Sequence, residues 1–178
     1  KFAGDPTVEC TKSEQVLTGM GVHISSDDAI AVYGMNHKEF SSDAFMALPV
    51  GILGTEYRTL NYQSSIIGQG SGNTPGEFCV VATADLTNII ISPKAKTGSG
   101  NPTGTPIKVV LNKGDVFLVH GDPNESGNYL TRSHIESDQP IAVLSGHVRT
   151  EIPVGFKNVG SGGSTSRNHL IEQLPPVN

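Results

Sequence analysis

The chain has 178 residues, a net charge of −5, only 16% charged residues and no tryptophan. That length suits one well-packed domain or two small ones. Its Lys and Arg residues are scattered, which argues against a nucleic-acid face or a polybasic membrane site, because both need clustered cations, and no apolar run approaches the length of a membrane span.

In chain order, short apolar runs alternate with Gly, Pro, Asn, Asp and Ser. The runs at 29–35, 56–62, 77–84, 88–92, 107–112, 115–121 and 140–148 are rich in Val, Ile, Thr and Tyr. Their composition and lengths predict strands. "ADLTN" and "NKGD" separate consecutive runs by a few residues, a spacing that predicts antiparallel hairpins, since a parallel crossover needs far more chain. "DAFMALP" (43–49) and "NHLIEQLP" (168–175) are the best helix candidates. Each is stopped by proline, and each fits a strand equally well. The Gly/Ser/Thr-rich stretches 64–76, 96–106 and 159–168 read as flexible loops. None fits the phosphate-cradling G-x-x-x-x-G-K-[ST] pattern between a strand and a helix.

The chain repeats itself. "HISSDDAIAV" (23–32) and "HIESDQPIAV" (134–143) match at seven of ten positions, 111 residues apart. "GDP" precedes each copy, at Gly4–Pro6 and Gly121–Pro123, with "LTG" and "LTR" between. After each copy comes an apolar segment ending in Leu-Pro. The expected architecture is therefore an all-β antiparallel sandwich with little or no helix and an internal duplication of about 110 residues. Residues 1–53 would be the back part of a first unit and 54–178 a second unit. A half unit alone leaves strand edges unpaired, so residues 1–53 are expected to complete the sheets of the second unit in a single domain. The same logic suggests a piece of a longer protein, or a subunit that joins others through an open edge.

Within the repeat, "SSDD" and "ESDQ" read as turns. Asp27 and Asp138 can accept hydrogen bonds from backbone N–H groups two residues on, a structural role that accounts for their repetition. The two cysteines, Cys10 and Cys79, form no C-x-x-C. They are either a disulfide tying the N-terminal segment to a central strand or two unpaired thiols. None of the six histidines shares an H-x-H, H-x-x-x-H or H-E-x-x-H pattern with another. No G-x-S-x-G elbow and no D-x-D-x-D-G calcium loop occurs. The sequence thus names no catalytic, cofactor-binding or metal-ligating residue. A calcium ion in a loop near the aspartates is the one cofactor left open.

Five blocks carry a family likeness: "HISSDDAIAVYGMNHKEFSSDAFMALPVGILGTEY", "EFCVVATADLTNIIISP", "VVLNKGDVFLV", "HIESDQPIAVLSGH" and "HLIEQLPPV". Together, and in this order, they resemble the N-terminal domain family of the IgG-Fc-binding protein. The resemblance implies an extracellular or cell-surface, non-enzymatic, β-rich module of larger adhesive proteins. Such a module would work through protein–protein contacts with an extracellular protein or glycoprotein, or with copies of itself through strand edges. A structural subunit of an extracellular filament or matrix is one alternative, and a secreted hydrolase acting on glycans or peptides is another.

Overall fold

The computed structural model describes residues 12–38, 41–63, 74–125, 128–153 and 167–177. The protein is all-β; among the described residues every strand pair is antiparallel, and there is one 3-10 turn, at Val50–Ile52. Eleven strands form among the described residues: β1 (Gln15–Leu17), β2 (Tyr33–Lys38), β3 (Ser41–Met46), β4 (Glu56–Arg58), β5 (Gly76–Ala82), β6 (Thr87–Ser92), β7 (Ile107–Leu111), β8 (Val116–His120), β9 (His134–Ser137), β10 (Ile141–Thr150) and β11 (Asn168–Leu174).

They make a five-stranded sheet in the order β1-β8-β5-β10-β11, a four-stranded sheet in the order β4-β9-β6-β7, and the β2-β3 hairpin. The two larger sheets share one apolar interior. Phe78, Val80, Val119, Ile141 and Val143 enter it from the first sheet, and Tyr57, Ile89, Ile91, Leu111 and Ile135 from the second. Strict alternation produces this. β5 buries every second residue, as does β6, so each strand presents one apolar face to the other sheet. The Tyr57 phenol locks the layers together: it donates to Ile141 O at 2.6 Å and accepts from Gly54 N at 3.0 Å.

Most predicted strands form close to their expected positions, but their connections differ. "ADLTN" and "NKGD" do not close hairpins. β5 and β8 lie in the five-stranded sheet while β6 and β7 lie in the four-stranded one, so each short turn carries the chain from one sheet to the other. The two turns stack on each other and bond directly: Gly114 N donates to Ala82 O (3.0 Å), Lys113 N to Asp85 Oδ1 (2.9 Å) and Leu86 N to Asn112 Oδ1 (3.3 Å). A hairpin and an inter-sheet turn need the same alternation and the same short link, so spacing does not separate them. Here the turns find their partners in each other.

Both helix candidates are strands, β3 and β11. β9 occupies part of the stretch that reads as a turn, and β1 lies outside the predicted runs. The loop at 96–106 is not a loose connector. Thr97 is fully buried and bonds Glu14 through its hydroxyl, and Gly98 N donates to His120 O at 2.8 Å. Most of the loops at 64–76 and 159–168 lies outside the described residues.

Residues 12–53 flank both edges of the five-stranded sheet. At one edge β1 pairs with β8 through a backbone ladder from Gln15 opposite Leu118 to Leu17 opposite Val116. At the other edge β3 runs beside β11, joined by side chains instead of a ladder. Asn168 Oδ1 accepts from Ser42 N (2.9 Å) and its Nδ2 donates to Ser42 O (2.7 Å). Ile171 N donates to Asp43 Oδ2 (2.8 Å), and Leu48 N to Gln173 Oε1 (2.9 Å).

Candidate interaction surface

The repeated decapeptide has two different surroundings. In the second copy, β9 ends in the four-stranded sheet, the chain turns at 138–140, and β10 begins in the five-stranded sheet. Ile135, Ile141 and Val143 all point into the shared core and have no exposed surface. In the first copy, residues 23–32 form no strand, and Ile24 and Ile30 are 54% and 55% exposed. Val22, Tyr33, Met35 and Met46 extend this apolar margin, each more than half exposed. Single exposed apolar residues are ordinary, but Tyr33, Met35 and Met46 share one face of the hairpin, with Tyr33 opposite Met46, and with Val22, Ile24 and Ile30 on its approach they make a candidate contact surface. β2 adds an open edge: its ladder to β3 occupies one side, and no strand lies along the other among the described residues.

The repeated aspartates diverge as well. The Asp138 carboxylate does not close its own turn. It reaches Asn88 on β6, accepting from Asn88 N (2.8 Å) and Asn88 Nδ2 (2.6 Å). These bonds, the side-chain amide first, hold its pKa below the usual carboxylate range. The turn itself is closed by Ser137 Oγ donating to Gln139 O at 2.7 Å. In the first copy Asp28 N donates to Ser26 Oγ (3.3 Å), and no described residue bonds the Asp27 carboxylate. The reason is local: Asp138 has a neighbouring strand to clamp, and Asp27 does not.

Cys79 sits half-buried on β5, on the face that points away from the core. Cys10 lies outside the described residues, so the pairing of the two cysteines lies outside them too. Beside Cys79 a shallow depression is lined by Glu77, Leu118, Leu144, His169 and Ile171. Burial pushes the Glu77 carboxyl up to about 7.

The histidines do not converge. Burial drives His147 down to about 4, and its tautomer is fixed because Nδ1 accepts from Arg149 N (3.1 Å) while Nε2 donates to Gln63 O (3.0 Å). His134 Nε2 lies 2.8 Å from Glu56 Oε1, and its Nδ1 lies 3.7 Å from Glu136 Oε2. Among the described residues no three His, Cys, Asp or Glu side chains are placed to hold a metal ion. No helix among them is long and apolar enough to cross a membrane.

A family model described as "IgGFc binding protein" matches residues 43–178. The chain belongs to this family. The human IgGFc-binding protein is 30% identical to it over 159 residues, which is 88% of this chain and 3% of that protein. The chain therefore spans a small fraction of its curated relative's length. No solved structure matches. The matched region takes in β4 to β11 and β3 from Asp43 onward. The strand predicted at 29–35 begins only at Tyr33, and 43–49, open to helix or strand in the sequence, lies mostly in β3. The exposure has no sequence signal, because equivalent isoleucines are buried in one copy and open in the other.

Proposed function

We propose that the chain is an extracellular, non-enzymatic module that works by protein–protein contact within a larger surface or secreted protein, its residues 1–178 acting as one β-rich domain. Three things support the reading: membership of a family named for binding, a human relative named for binding IgG Fc, and the apolar margin at residues 22–46. The margin is the observation that carries it. An antiparallel hairpin with an open edge and apolar side chains in water is suited to protein contact, through strand addition and side-chain burial together. The one-domain reading is supported by residues 12–53 holding both edges of the larger sheet.

Sedimentation velocity at micromolar concentration, alone and with the Fc fragment of human IgG, tests the proposal. The expected result is a complex, with itself or with Fc, that Tyr33→Ser combined with Met35→Ser weakens about tenfold or more. A chain that stays monomeric under both conditions contradicts the proposal. Long filaments in electron micrographs of the pure protein would favour a structural subunit.

A further inference from the structure

The geometry points to one occupant for the Ile24, Ile30 and Val32 part of the apolar margin, the face equivalent to the core face of β10: a β half-unit built like residues 54–120, which would close on residues 23–50 as this chain's own 54–120 closes on 134–177. This deepens the protein-contact reading and rests on it, by naming the kind of partner the margin takes.

The second copy shows what covers these residues. β5 runs along β10 with Ile141 opposite Ala82, Val143 opposite Val80 and Ser145 opposite Phe78. β4 and β6 flank β9. Gly54 and Tyr57 clamp Ile141 from above: Ile141 N donates to Gly54 O (3.1 Å) and the Tyr57 hydroxyl to Ile141 O (2.6 Å). All of these elements lie between residues 54 and 120, apart from β9 and β10 themselves.

The first copy keeps the groups that this cover would meet. Ile24 and Ile30 stand where Ile135 and Ile141 stand, yet are 54% and 55% exposed where their counterparts are fully buried. Downstream both copies fold alike, as an antiparallel pair followed shortly by Leu-Pro: β2-β3 in one, β10-β11 in the other. In β10 one edge holds β11 and the other holds β5. In β2 one edge holds β3, and the edge corresponding to the β5 side has no strand beside it among the described residues. A strand like β5 added there in the same register would face Ile30, Val32 and Gly34 as Ala82, Val80 and Phe78 face Ile141, Val143 and Ser145. A second copy of this chain could touch the outward face of the hairpin at Tyr33 and Met35 but could not supply this β5-like strand, because its own β5 is already paired on both sides, with β10 and β8. The fit requires a half-unit whose closing strands are supplied from outside, as these are.

The test joins residues 54–120 to Gly4 of the otherwise complete chain, since Gly4-Asp5-Pro6 stands before the first copy as Gly121-Asp122-Pro123 follows His120. Amide hydrogen exchange is compared with the unextended chain. The expected result is exchange at least about tenfold slower across residues 24–37, and Ile30→Ala destabilising the extended protein but not the unextended one. A folded extended protein whose residues 24–37 exchange at the unextended rate overturns the inference. If the extension does not fold, a synthetic peptide of residues 76–92 carrying Cys79→Ser is added to the intact chain. Protection confined to residues 30–36 supports the inference, and no protection at millimolar peptide overturns it. Failure here with association in sedimentation intact removes this occupant alone. Failure of both removes the protein-contact reading as well.

Discussion

Residues 134–143 and residues 23–32 are nearly the same sequence in two situations. In the first, Ile135 and Ile141 are sealed between two sheets; in the second, Ile24 and Ile30 stand more than half exposed. The difference teaches that the decapeptide does not determine its own conformation. It carries the alternation and the turn residues for a passage from one sheet to the next, and becomes that passage only where β4, β5 and β6 wait to receive it.

The largest expected effect comes from truncating matched residues. Ile141→Ala should cost about 2–5 kcal/mol in urea unfolding, as for any fully buried aliphatic residue. Ile30→Ala should change stability by less than about 0.5 kcal/mol, as at an open surface. Equal costs at the two positions would break the comparison.

A second contrast concerns protons, and it belongs to the closed region. Glu77 rises from an ordinary 4.5 to about 7, so the folded chain holds this proton more tightly than the unfolded one. Stability from this group therefore falls as pH climbs from 4.5 to about 7, and the cost is complete above that. Glu77→Gln should stabilise the protein at pH 8 by on the order of 2–3 kcal/mol and leave it unchanged below about pH 4.5. His147 has the opposite slope. Its pKa falls from 6.5 to about 4, so its contribution is lost as pH drops through that window. The two slopes oppose each other in the overlap. The parent chain should show a shallow profile there, and Glu77→Gln should uncover the steeper acid loss due to His147.

In the second copy the Tyr57 phenol ties the two sheets together. Tyr57→Phe leaves Gly54 N and Ile141 O without their partner and should cost about 1–3 kcal/mol. Its thermal midpoint is the readout; an unchanged midpoint would mean that the bridge between the sheets contributes little. The smallest contrast is between the aspartates. Asp138→Ala should lower the midpoint measurably because it frees Asn88, whereas Asp27→Ala should leave it unmoved.

Much of the fold is legible in the sequence, for identifiable reasons. β5, β6, β8 and β10 combine alternation with Val and Ile, and each lies within two or three residues of its expected place. What escapes the sequence depends on distant partners. The two inter-sheet turns look like hairpin links because local spacing is the same for both. β9 hides in "HIES", a polar stretch that becomes a strand because β4 and β6 lie on either side of it. β11 reads as helix or strand until β10 is placed beside it. The joint between Asn168 and Ser42 links residues 126 apart and has no local signature. The candidate surface is the extreme case. Ile24 and Ile30 are visible as members of a repeat, but whether they are covered depends on elements outside the repeat.

The central claim is that one copy of the repeat is closed and the other open. Amide hydrogen exchange on the monomeric chain tests it most directly, read as two peptides, residues 134–147 and residues 23–37. The account predicts that the first exchanges only through global unfolding, while residues 23–32 of the second exchange orders of magnitude faster. Equal, core-level protection of both segments in the monomer would contradict it.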